Sequence, residues 1–499
     1  MRIDSKRLVI PSLVLACLAL AAAGCPEHGE KTTGDTSSRS DTFEDTGVGE
    51  MVDTVPKADG DANRLPDGGV LIEDLTAVPN PSNALSHFIE WKTTEPADTQ
   101  LWVECGDGAW RHHYQGDSLT EEHRVFVMGH WAGASCEVTA RSSTEQGLEG
   151  VASTRVEVGE LPDYLPEITV STHKPDKMQS GWTLLNLTNS FDDIPLTVAM
   201  IDDQGRYRWY HQRSTSNSGS DTDVRVVEEG VLIGGNRTYL GPAVVDWTGQ
   251  IVWKDDFKMH HDIRPFEDGK YFLYLREVGK KNCDNGLRSG AVVKYDRMAE
   301  KPGKRWELCD YYTPMNPKHG ADWSHLNSVV PVPGEEAVLL SSRHQHSLFK
   351  LNLATDQLDW KMGLKGDFGL GGDDLFYRQH APEIQPNGNI LLFDNGRRKD
   401  RPYSRAVEIE YDKSAMTAEV VWKFRPQDDI FTPIWGDADR LENGNTLITF
   451  GHRNKDNQKN SRLIEVTHSK QKVWDAEVEN KWGWYRSERV EDLPIGSVR

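Results

Sequence analysis

From about residue 166 onward the chain repeats itself, and a period near fifty residues admits few architectures. Six segments pass through a turn and end in tryptophan: Gly205 to Trp209, Gly249 to Trp253, Gly303 to Trp306, Asp356 to Trp360, Ala418 to Trp422 and Ser469 to Trp474. The intervals between successive tryptophans are 44, 53, 54, 62 and 52 residues. Apolar runs precede several of them, as in Val244-Val245-Asp246, Leu348-Phe349-Lys350-Leu351, Val407-Glu408-Ile409 and Leu463-Ile464-Glu465-Val466. Between units lies a second turn, at Glu267-Asp268-Gly269, Val332-Pro333-Gly334, Pro386-Asn387-Gly388 and Glu442-Asn443-Gly444, followed each time by a further apolar run. Asn-Gly and Asp-Gly suit tight hairpins because both turn positions need positive φ. Two hairpins per period give four strands, one blade of a propeller, so the sequence predicts an all-β chain in which residues 166–499 form a six-bladed β-propeller. The tryptophans read as blade packing.

Ahead of the repeats, residues 71–165 carry short alternating runs: Phe88-Ile89-Glu90-Trp91, Leu101-Trp102-Val103, Val125-Phe126-Val127, Cys136-Glu137-Val138 and Arg155-Val156-Glu157-Val158. Polar turn material separates them, which predicts a small β-sandwich of fibronectin-like type before the propeller. Residues 26–70 are rich in Gly, Ser, Thr and Asp and nearly lack aromatics, so they cannot offset their ordering entropy and read as a disordered acidic tether. Residues 1–25 read as an export signal, with Lys6 and Arg7 before the apolar stretch Leu8 to Ala23. The run Leu20-Ala21-Ala22-Ala23-Gly24-Cys25 resembles a lipobox, making Cys25 the expected lipidation site; an ordinary cleaved signal is the other reading. The chain is therefore expected to be exported and held by lipid to the cell envelope, on the periplasmic side of a membrane or at the cell surface.

The formal charge of −21 argues against nucleic acid as a partner, which needs a basic face. Eleven acidic residues against four basic ones in the tether account for a third of that charge. With Cys17 in the signal and Cys25 modified, Cys105, Cys136, Cys283 and Cys309 remain, an even number that favours two disulfides in an exported chain. Sequence proximity suggests Cys105 with Cys136 and Cys283 with Cys309, although three pairings are formally open and a zinc site is a rival. There is no Gly-x-Ser-x-Gly elbow, Walker loop or dinucleotide fingerprint.

Measured from the hairpin glycines, three repeats begin a strand with histidine. His261 lies eight residues before Gly269, His380 eight before Gly388 and His325 nine before Gly334. Repeats measured from Gly230 and Gly444 hold Thr222 and Gly436 there, so the histidine is not a demand of the repeat. A propeller gathers its inner strands around one axis, so these positions should converge at one end of the channel. Arg343 in Ser341-Ser342-Arg343 and Asn395 in Phe393-Asp394-Asn395-Gly396 return to the same end, and Asn327 should face the same way as His325 on an alternating strand.

The motifs Met259-His260-His261-Asp262-Ile263, Ser324-His325-Leu326-Asn327, Ser341-Ser342-Arg343 and Gln379-His380-Ala381-Pro382 with Phe393-Asp394-Asn395-Gly396 resemble those of the bacterial arylsulfotransferase family, over roughly residues 166 to 490. The resemblance implies an exported enzyme with a small β domain before a six-bladed propeller. It implies sulfuryl transfer from a phenolic sulfate ester to a phenol, without a nucleotide donor, cofactor or metal. Carried over by motif, His380 would be the nucleophile that becomes sulfohistidine. His261, His325, Asn327 and Arg343 would bind the sulfate oxygens and assist proton transfer, with Asn395 and His260 beside them at the substrate. Either His260 or His261 could be the inward one, and the sixth blade, with Gly436-Asp437, shows no counterpart. Two rival readings accompany this one. His260, His261, Asp262, His325 and His380 could hold a divalent ion in a propeller hydrolase or lyase, or the opening could bind ligand without catalysis.

Overall fold

The computed structural model describes residues 72–491 apart from 107, 109, 189–193, 215–222, 236–240, 279–286, 314–321, 456–457 and 479–480. The signal segment, Cys25, the tether, Thr222 and Cys283 lie outside the described residues. Among those described, the helical pieces are three 3-10 turns and the rest of the regular structure is strand.

Strands β1 (Ile72–Pro79), β2 (Ser86–Cys105), β3 (Trp110–Met128), β4 (Ser135–Ser143) and β5 (Glu149–Glu157) form one sheet in the order β1-β2-β4-β5, with β3 also paired to β2. This differs from the expected sandwich of two sheets. The runs Phe88–Trp91 and Leu101–Val103, which read as separate strands, belong to one strand of twenty residues. Its first part pairs with β1 and its last six residues with β4, so the sheet is continuous. Pro96, between the two runs, falls in a register shift between Lys92 and Ala97, where no ladder donor is needed. Cys105 and Cys136 stand opposite each other on β2 and β4 and are joined as a disulfide. Cys309 is also disulfide-bonded.

Next come β6 (Ile168–His173), β7 (Trp182–Leu187), β8 (Leu196–Ile201) and β9 (Tyr207–Ser214). Five four-stranded meanders begin with β10 (Val224–Val227), β11 (Gly230–Ile233), β12 (Ala243–Val245) and β13 (Ile251–Lys254). The second comprises β14 (Ile263–Phe266), β15 (Tyr271–Val278), β16 (Ser289–Asp296) and β17 (Lys301–Glu307), and the third β18 (Leu326–Pro331), β19 (Ala337–Ser342), β20 (Ser347–Asn352) and β21 (Gln357–Gly363). The fourth comprises β22 (His380–Ile384), β23 (Ile390–Asp394), β24 (Arg405–Asp412) and β25 (Thr417–Phe424), and the fifth β26 (Asp437–Arg440), β27 (Thr446–Lys455), β28 (Gln458–Val466) and β29 (Lys472–Val478), with β6 added beyond β29. The final strand, β30 (Ser487–Val490), completes a sixth sheet in the order β30-β7-β8-β9. Both ends of the repeat region thus meet in one sheet.

The repeated tryptophans all lie on the fourth strand of their sheets, and four of them bond to the last turn of the next sheet. Trp209 Nε1 donates to the Trp247 carbonyl at 2.9 Å, Trp306 to Asp356 Oδ1 at 2.7 Å and Trp422 to the His468 carbonyl at 2.8 Å. Trp474 Nε1 donates to the Asp203 carbonyl at 2.8 Å, linking the fifth meander to the sheet that holds both ends. A buried indole supplies a large apolar face and one donor that must be satisfied, which is why this residue recurs at these joints.

At the opposite edge, first strands of neighbouring sheets adjoin, as β14 with β18, β18 with β22, β22 with β26 and β10 with β30. Arg486, just before β30, is buried where they meet. Its guanidinium donates to Asp223 Oδ1 at 3.1 Å, the Asn327 carbonyl at 3.0 Å and Ser328 Oγ at 2.6 Å, and lies 3.3 Å from Asp262 Oδ1. Arg486→Met should therefore lower stability by about 3–5 kcal/mol by leaving buried carboxylates uncompensated, measured as a lower urea midpoint.

Candidate functional site

The residues before β14, β18 and β30, and the first residue of β22, converge. His261 lies 5.0 Å, ring to ring and edge-on, from His325 and 6.1 Å from Tyr485, and His380 lies 6.4 Å from the Tyr485 ring. Trp435, before β26, is also 6.4 Å from Tyr485. Of the two adjacent histidines, His261 makes the ring contacts to His325 and Tyr485, while His260 shares an Nδ1–Nδ1 hydrogen bond of 2.8 Å with it. His261, His325 and Trp435 have φ of 63°, 46° and 64°. Left-handed backbone at such residues costs on the order of 1–3 kcal/mol and tends to cluster at functional sites.

His380 is buried, and its hydrogen bonds settle its tautomer. Asn395, in the loop after β23, donates from Nδ2 to the carbonyls of Thr432 at 2.9 Å and Trp435 at 2.6 Å. That fixes its Oδ1 as an acceptor, so His380 Nδ1, 2.6 Å away, must carry the proton. The lone pair is then on Nε2. Burial and the nearby charge of Arg343 hold this imidazole well below its ordinary pKa, so it stays neutral and nucleophilic at neutral pH.

His325 is arranged differently. Asp322 accepts the His325 backbone N–H at 2.9 Å and its Nδ1 at 2.7 Å. Burial pushes the Asp322 carboxyl up, but the hydrogen bonds and charge of His325 outweigh it and hold it well below the usual carboxylate range. Arg343 Nη1 donates to His344 Nε2 at 3.1 Å and Nη2 to the Pro433 carbonyl at 3.0 Å. A guanidinium can only donate, so His344 Nε2 is the acceptor and its Nδ1–H donates to the Asp322 carbonyl at 2.8 Å. Burial pushes His344 down to about 4, consistent with that neutral form.

Two residues expected at the substrate also bond to protein groups. Asn395 spends both ends of its amide on protein, so it positions His380. Asn327 is fully buried and donates from Nδ2 to the Gln379 carbonyl at 2.7 Å. The inference that it alternates with His325 does not hold, because His325 precedes β18 and the register shifts between Leu326 and Ser328. Asp322, His344, Tyr485 and Arg486 were not singled out by the sequence. The signal for the last two was chain left over after Trp474, Trp482 to Arg486, which opens a strand without a hairpin of its own.

The five-residue metal set also separates. Asp262 receives Arg264 Nε at 3.1 Å and the Val329 N–H at 2.8 Å, and it faces Arg486 rather than the imidazoles. Among the described residues, Asp322, His325 and His344 come within ligand spacing, as do Cys105, His130 and Cys136. In the first group, His344 offers no lone pair unless Arg343 moves, because Nε2 accepts from Arg343 and Nδ1 donates to a carbonyl. In the second, both sulfurs are in a disulfide.

These features define an all-β protein whose repeated sheets bring neutral and carboxylate-paired imidazoles together beside a buried guanidinium. The family model for Arylsulfotransferase (ASST) matches residues 167–486, and the chain belongs to that family. The arylsulfate sulfotransferase AssT of Escherichia coli O6:H1 (strain CFT073) is 23% identical over 52% of this chain and 58% of its own length. That of Lelliottia amnigena is 22% identical over the same shares. The chain thus spans a little over half the length of the curated relatives it matches. Among solved structures, dihydro-heme d1 dehydrogenase NirN in complex with DHE covers 65% of this chain and 80% of its own at 12% identity, with a TM-score of 0.32, too loose to carry an argument.

Asn395→Ala should free the His380 ring from its single tautomer. Nitrogen-15 NMR should show Nε2 as the lone-pair nitrogen in the wild type and a tautomer mixture in the variant.

Proposed function

We propose that the six sheets are the blades of a β-propeller and that the chain is an aryl-sulfate sulfotransferase working through a sulfohistidine. The observation that carries this reading is His380, buried and neutral, with Nδ1 tied to Asn395 and its lone pair on Nε2. Such a nitrogen can attack the sulfur of a phenolic sulfate ester. As the N–S bond forms, the S–O bond to the aryl group breaks and its electron pair leaves on the phenolate. A second phenol then gives up its proton and attacks the same sulfur, releasing His380. No nucleotide donor is required.

Charge is spread over three sulfuryl oxygens throughout. Arg343 and the imidazoles of His261 and His325 are suited to meet it, in a setting poor in water where such interactions are strong. The same reading includes export and a lipid anchor on Cys25, supported by the basic start, apolar run and small residues before that cysteine. The anchor would place phenolic donor and acceptor outside the cytoplasm, at the cell envelope.

The test is incubation of purified protein with 4-nitrophenyl sulfate and phenol. The expected outcome is release of nitrophenol with formation of phenyl sulfate, unaffected by chelator, and a fall on the order of a thousandfold or more in His380→Ala. No turnover by the wild type, or an undiminished His380→Ala, would sink the reading. Activity that disappears with chelator would transfer it to a metal-dependent enzyme.

A further inference from the structure

His261 and His325, whose rings meet edge-on, are not equivalent, and the difference lies in Asp322. This residue was singled out by neither the repeats nor the motifs. Its carboxylate holds His325 at two points, the backbone N–H and Nδ1, while its own carbonyl holds His344 Nδ1. His344 in turn accepts from Arg343. The Asp322 turn is tied to the Arg343 turn by further bonds: the Arg343 N–H donates to the His325 carbonyl at 3.1 Å, and Gln345 Nε2 to the Trp323 carbonyl at 2.9 Å. His261, by contrast, shares its Nδ1 with His260. The neighbouring Asp262 is engaged by Arg264 and Arg486.

Resting on the sulfotransferase reading, we propose that Asp322 is the positioning residue that makes His325 the proton carrier of the reaction and, through His344, sets the place of Arg343. A carboxylate only accepts, so His325 Nδ1 keeps its proton throughout and the mobile proton is the one on Nε2. In the first half-reaction, the S–O bond breaks and the phenolate oxygen takes the Nε2 proton. His325 is left neutral, with its lone pair turned to the site. In the second half, the acceptor phenol returns a proton to Nε2 as its oxygen attacks sulfur, and the N–S bond to His380 breaks. The carboxylate charge balances the imidazolium before the first event and after the second, when Nε2 carries its proton. An orienting carboxylate behind a catalytic imidazole is a general solution to this requirement.

The readout that separates proton donation from mere support is the leaving group. The phenolate of phenyl sulfate is a strong base and needs a proton on departure, whereas 4-nitrophenolate is weak and needs little help. Asp322→Asn keeps a hydrogen-bond acceptor but removes the charge. It should lower kcat/KM with phenyl sulfate at least about tenfold more than with 4-nitrophenyl sulfate. His344→Ala should mainly raise KM for both donors alike. Equal losses with the two donors in Asp322→Asn, or no loss, would overturn the proposal.

A second measurement does not depend on turnover. Proton NMR of the full chain should show a strongly downfield His325 Nδ1 proton that vanishes in Asp322→Ala while the His380 ring signals stay in place. If the wild type turns over no aryl sulfate, the sulfotransferase reading fails, and this proton alone decides whether Asp322 positions His325. Its absence from the wild type, or its persistence in Asp322→Ala, overturns that positioning.

Discussion

A guanidinium taken out of water must be compensated, and Arg486 sets that demand where four strand starts meet. Breaking a buried ion pair costs more than the pair contributes when intact, so such a charge specifies an arrangement more than it stabilises one. Here the partners come from three other parts of the chain: Asp223 before β10, Asp262 before β14, and the Asn327 carbonyl and Ser328 hydroxyl on β18. Satisfying all of them requires β30 to lie beside strands placed by residues between 158 and 263 positions earlier. Burial raises both carboxyls of the group. At Asp262 the charges of Arg264, Arg486 and Arg225 outweigh it, whereas Asp223 stays raised, to about 7.

The histidines can be where they are because that network takes up the neighbouring carboxylate. Asp262 faces Arg486, and the carboxylate that reaches the imidazoles is that of Asp322, paired with His325. Further along the same first strands is a cavity of about 460 Å³ lined by Arg225 and Arg264 together with Glu383, Asp437, Asp439 and Glu488. Burial raises the carboxyls of all four acids. Acids and guanidinium groups together line this stretch, while His380, His261 and His325 gather at the strand starts. Arg486 stands where those strands meet.

The repeats were legible because their turns and packing are local. Asn387-Gly388 and Asn443-Gly444 mark tight turns whatever surrounds them, and an indole is needed wherever one sheet must both pack against and bond to the next. The histidine positions were legible for the same reason, since hairpin glycines measure distance along a strand. What could not be read depends on partners distant in sequence. The long β2 reads as two strands because polar residues separate its apolar runs, where the ladder is irregular. Arg486 and Tyr485 lead into a strand that pairs β7, some three hundred residues away, and no hairpin announces it. Asn327 was assigned a face by strict alternation that a register shift removes.

The chemistry was least legible, because it lies in tautomers. His380 and His325 have the same side chain and equivalent places in the repeat, yet each has its Nδ1 assigned by a different acceptor. An amide oxygen, itself fixed by two carbonyls, leaves His380 neutral with an available lone pair. A carboxylate accepts from Nδ1 of His325 and stands beside it as a negative charge. On the proposed mechanism, two like groups given different surroundings would serve as nucleophile and proton carrier side by side. Exchanging the acceptors would reverse the assignment: an aspartate behind His380 would favour its protonated form and remove the lone pair on which the proposed attack on sulfur rests.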